Sequence, residues 1–234
     1  MRGTPEWDLR EAFIKSVTTA FSSKPDLAAR LHGDRKLLLG KRGDSRSSLF
    51  PSKKNAGAAD VAVYIQVESR VEQAYALCLE RNPGVVAYRT QAVKVNVPGG
   101  GKHWPDFLIL DDQDRVFVRE IKQSTEFLKE DYLERTNRVR DFLAQMGVDY
   151  EILQRSDLPT ESELQNLKLL HHSYSRIPGT LELEFANAAL QSLLPCTYRA
   201  LIEALGDVAK HLLFTGRLRI DWQRPLNLDT EVTK

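Results

Sequence analysis

Residues 103–122 read His103-Trp-Pro-Asp106-Phe-Leu-Ile-Leu110-Asp-Asp-Gln-Asp-Arg115-Val-Phe-Val-Arg-Glu120-Ile-Lys122. Two apolar runs flank the polar break Asp111-Asp-Gln-Asp-Arg115, which predicts strands over 104–110 and 116–122 joined as a hairpin. Side chains along a strand alternate faces, so Glu120 and Lys122 point one way while Arg119 and Ile121 point the other. Asp106 enters the first strand directly after a proline. A carboxylate and an ammonium side by side at a strand end add nothing to a core. They suit a divalent cation and an activated water.

Working outward, Val67–Glu80 carries Val71, Tyr75, Cys78 and Leu79 on one helical stripe. The valine-rich segment 85–97 predicts extended structure, and Pro98-Gly-Gly-Gly-Lys102 a turn. A second amphipathic helix is expected over 126–145, and after Gly147 the run Tyr150-Glu-Ile-Leu-Gln154 reads as a strand. Further upstream, Leu9, Phe13, Val17 and Phe21 recur at helical spacing over 7–22. Residues 40–60 are small, polar and basic, the composition of a linker or of an arm in which Lys53 and Lys54 touch phosphate.

Asp157-Leu-Pro-Thr160 breaks the chain, and Thr160 with Glu163 forms a capping-box pattern that opens a helix through about His172. Helical stretches follow over 180–194, 197–205 and 207–215. Residues 216–225 alternate apolar and polar positions, as a final strand or hairpin would. Short helices closed by a β-wing outline a winged helix-turn-helix. The expected organisation is an N-terminal helix with a basic linker over 1–56, an α/β domain over 57–156 and a winged-helix-like domain over 157–234. Arg217 and Arg219 are the wing's candidate phosphate contacts, and Lys102 is a further candidate beside Asp106. Trp222 reads as a packing anchor, and the adjacent His171 and His172 as surface residues on different helix faces.

The 234 residues carry a formal net charge of +1, with 42% hydrophobic and 28% charged side chains. That balance suits a globular chain. It does not advertise a self-sufficient DNA-binding domain, so any nucleic-acid contact must be local or assisted by partners. No apolar run approaches the ~20 residues of a membrane span, and a cytoplasmic protein is expected. Cys78 and Cys196 lie far apart without metal-type spacing, which points to neither a zinc site nor a disulfide framework.

Hydrolysing a phosphodiester requires an activated water and neutralisation of the charge that builds on the phosphate. Asp106 and Glu120 would supply carboxylates from adjacent strand ends, the Ile121 carbonyl another oxygen, and Lys122 a group that orients the water or steadies the phosphate. A third carboxylate would come from the upstream helix, where Glu68 and Glu72 sit four residues apart. Together the segments match the PD-(D/E)xK nuclease pattern. The expected fold is α/β: a restriction-endonuclease-like core, with a mixed sheet flanked by helices, ahead of a mainly helical C-terminal domain.

Pro51-Ser-Lys-Lys-Asn55, Glu68-Ser-Arg-Val-Glu72, Asn82-Pro-Gly-Val-Val, Gln91, Pro105-Asp106-Phe-Leu and Glu120-Ile-Lys122 resemble the TnsA endonuclease subunit of heteromeric DNA transposases. The resemblance covers about residues 50–125 specifically and the remainder loosely. It implies Mg²⁺-dependent cleavage of the 5′-side strand at transposon ends, with Mn²⁺ as an alternative ion and a pair of ions per site. It also implies double-stranded DNA, a DDE transposase and an AAA+ regulator as partners. Carried over, Glu72 takes precedence over Glu68 as the helix carboxylate, and Asp106 and Lys122 match catalytic positions. Glu120 stands where some members have glutamine, and Gln91 either contacts a water on the metal or braces the site. The N-terminal segment before Pro51 is longer than the resemblance implies. Two other readings stay open: a PD-(D/E)xK nuclease of restriction or junction cleavage, and a catalytically idle adaptor between DNA and an ATPase.

Overall fold

A computed structural model describes residues 5–22, 40–42, 45–56, 63–97 and 101–234. In chain order, the first elements are helix α1 (Pro5–Ser22), strands β1 (Gly40–Arg42), β2 (Ser45–Ser52) and β3 (Val63–Val67), and helix α2 (Arg70–Arg81). Strands β4 (Val85–Thr90), β5 (Val95–Asn96), β6 (Lys102–His103), β7 (Phe107–Asp111) and β8 (Val116–Lys122) follow. Helix α3 (Glu130–Ala144) then leads into strand β9 (Asp149–Gln154). The C-terminal part comprises α4 (Glu161–Ser173), α5 (Thr180–Leu193), β10 (Cys196–Thr197), α6 (Tyr198–Leu205), α7 (Asp207–Phe214) and β11 (Glu231–Val232). No helix among the described residues is long and apolar enough to cross a membrane.

The architecture is mixed α/β, with a four-stranded sheet in the order β4-β7-β8-β9. Neighbours are antiparallel except β8 and β9, which run parallel across the α3 crossover. The β7–β8 hairpin closes because Asp111 Oδ1 accepts from the backbone N–H groups of Gln113 and Arg115 at 3.0 and 2.8 Å, while Asp114 takes a left-handed φ of 58°. Alternation divides the sheet between two apolar clusters. Phe107, Ile109 and Ile121 face α2, whereas Leu108, Val118 and Tyr150 pack with Phe142 of α3 and Phe13 of α1.

Several expectations need correction. Residues 45–52 form a strand rather than a linker, because Phe50 is buried and β2 pairs antiparallel with β3. The expected division at residue 57 therefore cuts through a hairpin. Helix α1 is no appendage either, since Phe13 is 4% exposed within the sheet's second cluster. Segment 85–97 is two strands: the ladder with β7 stops at Thr90, Gln91 adopts φ 47°, and β5 pairs with β6 instead. The main cluster runs across residue 157, joining Phe50, Val71 and Tyr75 to Leu164, Leu167, Leu170 and Phe214.

At the C-terminal end, Thr160 caps α4 as expected, its Oγ1 accepting from the Glu163 N–H at 3.3 Å. Residues 216–225 do not form the predicted strand or hairpin. Arg219 makes an isolated bridge to Thr233, and β10 pairs with β11. Local alternation failed there because the pairing partner lies beyond residue 230, out of reach of a hairpin.

Candidate active site

Antiparallel register sets the site. Phe107 pairs with Arg119, so Asp106 at the start of β7 lies beside Glu120 at the end of β8. Glu120 and Lys122 share strand parity with Val118, which projects them away from α2 and toward the α3 side. Ile121, of opposite parity, packs in the α2 cluster. The N-terminal ends of α2 and α3 close over this corner of the sheet and leave an open cleft of about 420 Å³. Glu68, Glu72, Asp106, Glu120, Ile121 and Lys122 all line it.

Lys122 Nζ sits 2.9 Å from Glu120 Oε2 and 3.3 Å from Asp106 Oδ2. The Ile121 N–H donates to the same Asp106 oxygen at 2.8 Å. Glu120 is 2% exposed and held at both oxygens. His103 Nε2 lies 2.5 Å from its Oε1, and the Tyr132 hydroxyl donates to its Oε2 at 3.1 Å. Ser69 caps α2, accepting from the Glu72 N–H at 3.1 Å and donating to Glu72 Oε1 at 3.0 Å. The Glu68 N–H donates to Glu72 Oε2 at 2.8 Å. Glu72 is thus both a cap residue and a wall of the cleft. Glu68 precedes the helix instead of sharing a face with Glu72.

Gln91 is buried behind the cleft. Its left-handed backbone donates N–H to the Asp106 carbonyl at 3.1 Å, and Nε2 donates to Glu68 Oε2 at 2.8 Å. Gln91 thereby ties Glu68 to the backbone of Asp106. Its Oε1 is buried without a hydrogen-bond partner.

Burial raises the Asp106 carboxyl well above the usual aspartate range; Glu120 and Glu72 push it further, and Lys122 and the Ile121 N–H only partly offset this. Glu72 is raised as well, chiefly by burial. Burial would also raise Glu120, but His103 and Lys122 outweigh it and hold that carboxyl below its ordinary range. Lys122 is desolvated, yet Asp106 and Glu120 hold it well protonated. The shared cleft thus pushes the Asp106 carboxyl up, while the partners of Glu120 hold that carboxyl down.

This donor set fits a hard divalent cation in kind: Glu72, Asp106 and Glu120 bring carboxylate oxygens to one cleft. Among the described residues, no three His, Cys, Asp or Glu side chains are arranged to hold an ion together as they stand. The Lys122 ammonium occupies the space between Asp106 and Glu120, so binding an ion there requires Lys122 to release one of them.

The candidate phosphate contacts fare differently. Lys102 is exposed at the cleft. Lys53 is not available: it is 6% exposed, its Nζ donates to the His171 carbonyl and stands 3.7 Å over the Tyr174 ring. Lys54 Nζ donates to the carbonyls of Asn82 and Val85. Burial lowers both ammonium pKa values to about 8. These lysines tie β2 to its neighbours, which corrects the arm reading. Arg217 and Arg219 are exposed but belong to the C-terminal part and do not line the cleft. His171 is fully buried against Phe50 at a ring separation of 5.3 Å, contrary to the surface reading, while His172 is exposed. The Trp222 ring packs as expected, lying under the Arg81 guanidinium at 4.7 Å.

Sequence reasoning assigned no role to His103, Tyr132 or Arg135, which also line the cleft. His103 had a local signal, being a polar residue just ahead of Pro-Asp. Tyr132 and Arg135 had none, because only the swing of α3 back over the sheet brings them there. No family model matches the chain, and no curated protein is significantly similar to it.

Proposed function

We propose that the chain is a metal-dependent DNA endonuclease of PD-(D/E)xK type, acting as the nicking subunit of a heteromeric transposase. One observation carries the reading. Asp106, Glu120 and Lys122 meet at adjacent strand ends, within 3.3 Å of one another through Nζ, with Glu72 facing the same cleft. A buried cluster of this kind is costly unless it has a chemical use.

In this reading Asp106, Glu120 and Glu72 would hold one or more Mg²⁺ or Mn²⁺ ions, with the Ile121 carbonyl as a further oxygen. The ion would acidify water and neutralise charge on the scissile phosphate. His103 and Tyr132 fix the Glu120 carboxylate, and Gln91 fixes Glu68. Lys122, released from Asp106, orients the attacking water or the phosphate from a position fixed by β8. The order α5, β10, α6, α7, the Arg219 bridge and β11, with β11 between its two partners, supports a winged-helix reading of the C-terminal part. Helix α7, at the recognition-helix position, has Leu212, Leu213 and Phe214 buried, and Lys210 Nζ bonds Asp207 and the Ser173 carbonyl. That favours protein docking over groove reading for α7. The transposase context, with a DDE transposase and an AAA+ regulator as partners, rests on the resemblance of residues 50–125.

Strand-resolved cleavage of transposon-end DNA with Mg²⁺ or Mn²⁺ tests the proposal, with and without the transposase and ATPase, in wild type and Asp106→Ala. Partner-dependent nicking of the 5′-side strand, abolished by Asp106→Ala, is expected. Partner-independent cutting would move the protein to a stand-alone nuclease. No metal-dependent cutting by a folded chain under any combination would leave an adaptor.

A further inference from the structure

Arg135 lies on α3 one turn beyond Tyr132 and lines the cleft. Its guanidinium centre stands 5.2 Å from the centroid of the Tyr132 ring, whose hydroxyl bonds Glu120. The arginine is thus pinned to the side chain that steadies the candidate catalytic carboxylate. Its Nε is buried without a hydrogen-bond partner. Glu68, Glu72, Asp106 and Glu120 line the same cleft, yet among the described residues Arg135 forms no ion pair with any of them. Arg81, Arg119 and Arg176 all pair with carboxylates. A guanidinium that lines the cleft, stacked on Tyr132 and unpaired with the nearby acids, is prepared for an anion from outside.

We propose that Arg135 is a phosphate clamp, gripping the non-bridging oxygens of a DNA backbone phosphate at the scissile position or next to it. The planar fork of N–H donors matches two phosphate oxygens at once, which fixes orientation as well as charge. Lys102, exposed on a flexible stem, adds attraction but little direction. Arg135 thus positions the substrate and stabilises its charge. The inference rests on the nuclease reading and extends it by naming the group that holds the substrate.

The test uses the full chain under conditions in which wild type cuts duplex DNA. Wild type, Arg135→Gln and Arg135→Lys are assayed on an all-phosphate duplex and on duplexes carrying one neutral methylphosphonate at successive positions around the cut. Arg135→Gln is expected to lower kcat/KM by about 10²–10³-fold with an unchanged melting temperature. Arg135→Lys, which keeps charge but loses the fork, should recover only part of this. At one position, the methylphosphonate should slow wild type while adding nothing to the Arg135→Gln defect. Equal cutting by Arg135→Gln, or additive losses at every position, would overturn the clamp alone, since wild-type cutting upholds the nuclease reading. A wild type that neither binds nor cuts DNA with divalent ions would overturn that reading and the clamp together. Were Arg135→Gln to misfold, the same cycle with Arg135→Lys decides the matter.

Discussion

Glu80 shows what a single residue carries away from the cleft. Its buried carboxylate accepts from the Ser52 hydroxyl at 2.6 Å, the Tyr88 hydroxyl at 2.8 Å and the Lys53 N–H at 3.1 Å, and lies 3.6 Å from His171 Nε2. Burial alone would raise its pKa, but His171, Ser52 and Tyr88 outweigh that and lower it. Glu80→Ala would leave those donors buried and unpaired, for which a loss of about 3–5 kcal/mol is expected. Urea unfolding of the variant measures it, and a loss under about 1 kcal/mol would show that water replaces the carboxylate. Nothing in Ala-Leu-Cys-Leu-Glu80 marks this residue out. A glutamate near the end of an amphipathic helix ordinarily faces solvent, and only the packing of β2 and α4 buries this one.

At the scale of elements, α1 is the instructive case. The spacing of Leu9, Phe13, Val17 and Phe21 identifies the helix, but periodicity does not say what a helix covers. Phe13 enters the cluster with Val93, Val95, Val97, Leu108 and Phe142, and the Arg89 Nε donates to the Ala20 carbonyl at 2.9 Å. Phe13→Ala is therefore expected to destabilise the chain by about 3–5 kcal/mol. Trp7→Ala, at a position 53% exposed, should stay within about 0.5 kcal/mol. Chemical denaturation of the two variants side by side checks this, and equal effects would show that α1 does not pack through Phe13. The β7–β8 hairpin is the opposite case. Its turn, alternation and terminal polar groups lie within twenty consecutive residues, so local rules describe it nearly completely.

For the whole molecule, the main cluster stretches from Phe50 to Val232 and encloses two histidines with depressed pKa values. His211 is lowered to about 4, first by burial and then by Arg217, Lys53 and Lys54. His171 is lowered chiefly by burial. A histidine whose folded pKa lies below its unfolded value of 6.5 binds fewer protons folded than unfolded between the two values. Stability from His211 is thus fully present above pH 6.5 and is lost as pH falls toward about 4. The loss is on the order of 2 kcal/mol. Urea midpoints at neutral and mildly acidic pH should fall in wild type and fall less in His211→Leu. Parallel declines would mean that His211 titrates normally in the fold.

What the sequence determined by itself was chemistry held in short spans. The Pro-Asp and Glu-x-Lys hairpin, the Thr160 cap, the helical stripes and the placing of Glu120 and Lys122 on one face all follow from periods of two and 3.6 residues. What only the tertiary structure decided was which distant surfaces meet. It buried Lys53 and His171, turned the expected linker into β2, moved the C-terminal pairing from 216–225 to residues beyond 230, and brought Tyr132 and Arg135 over the cleft. The reason is physical: local periodicity records which face of an element is apolar, while the partner of that face is chosen by the packing of the whole chain. A polar side chain at the seam between two elements is surface or core according to that choice.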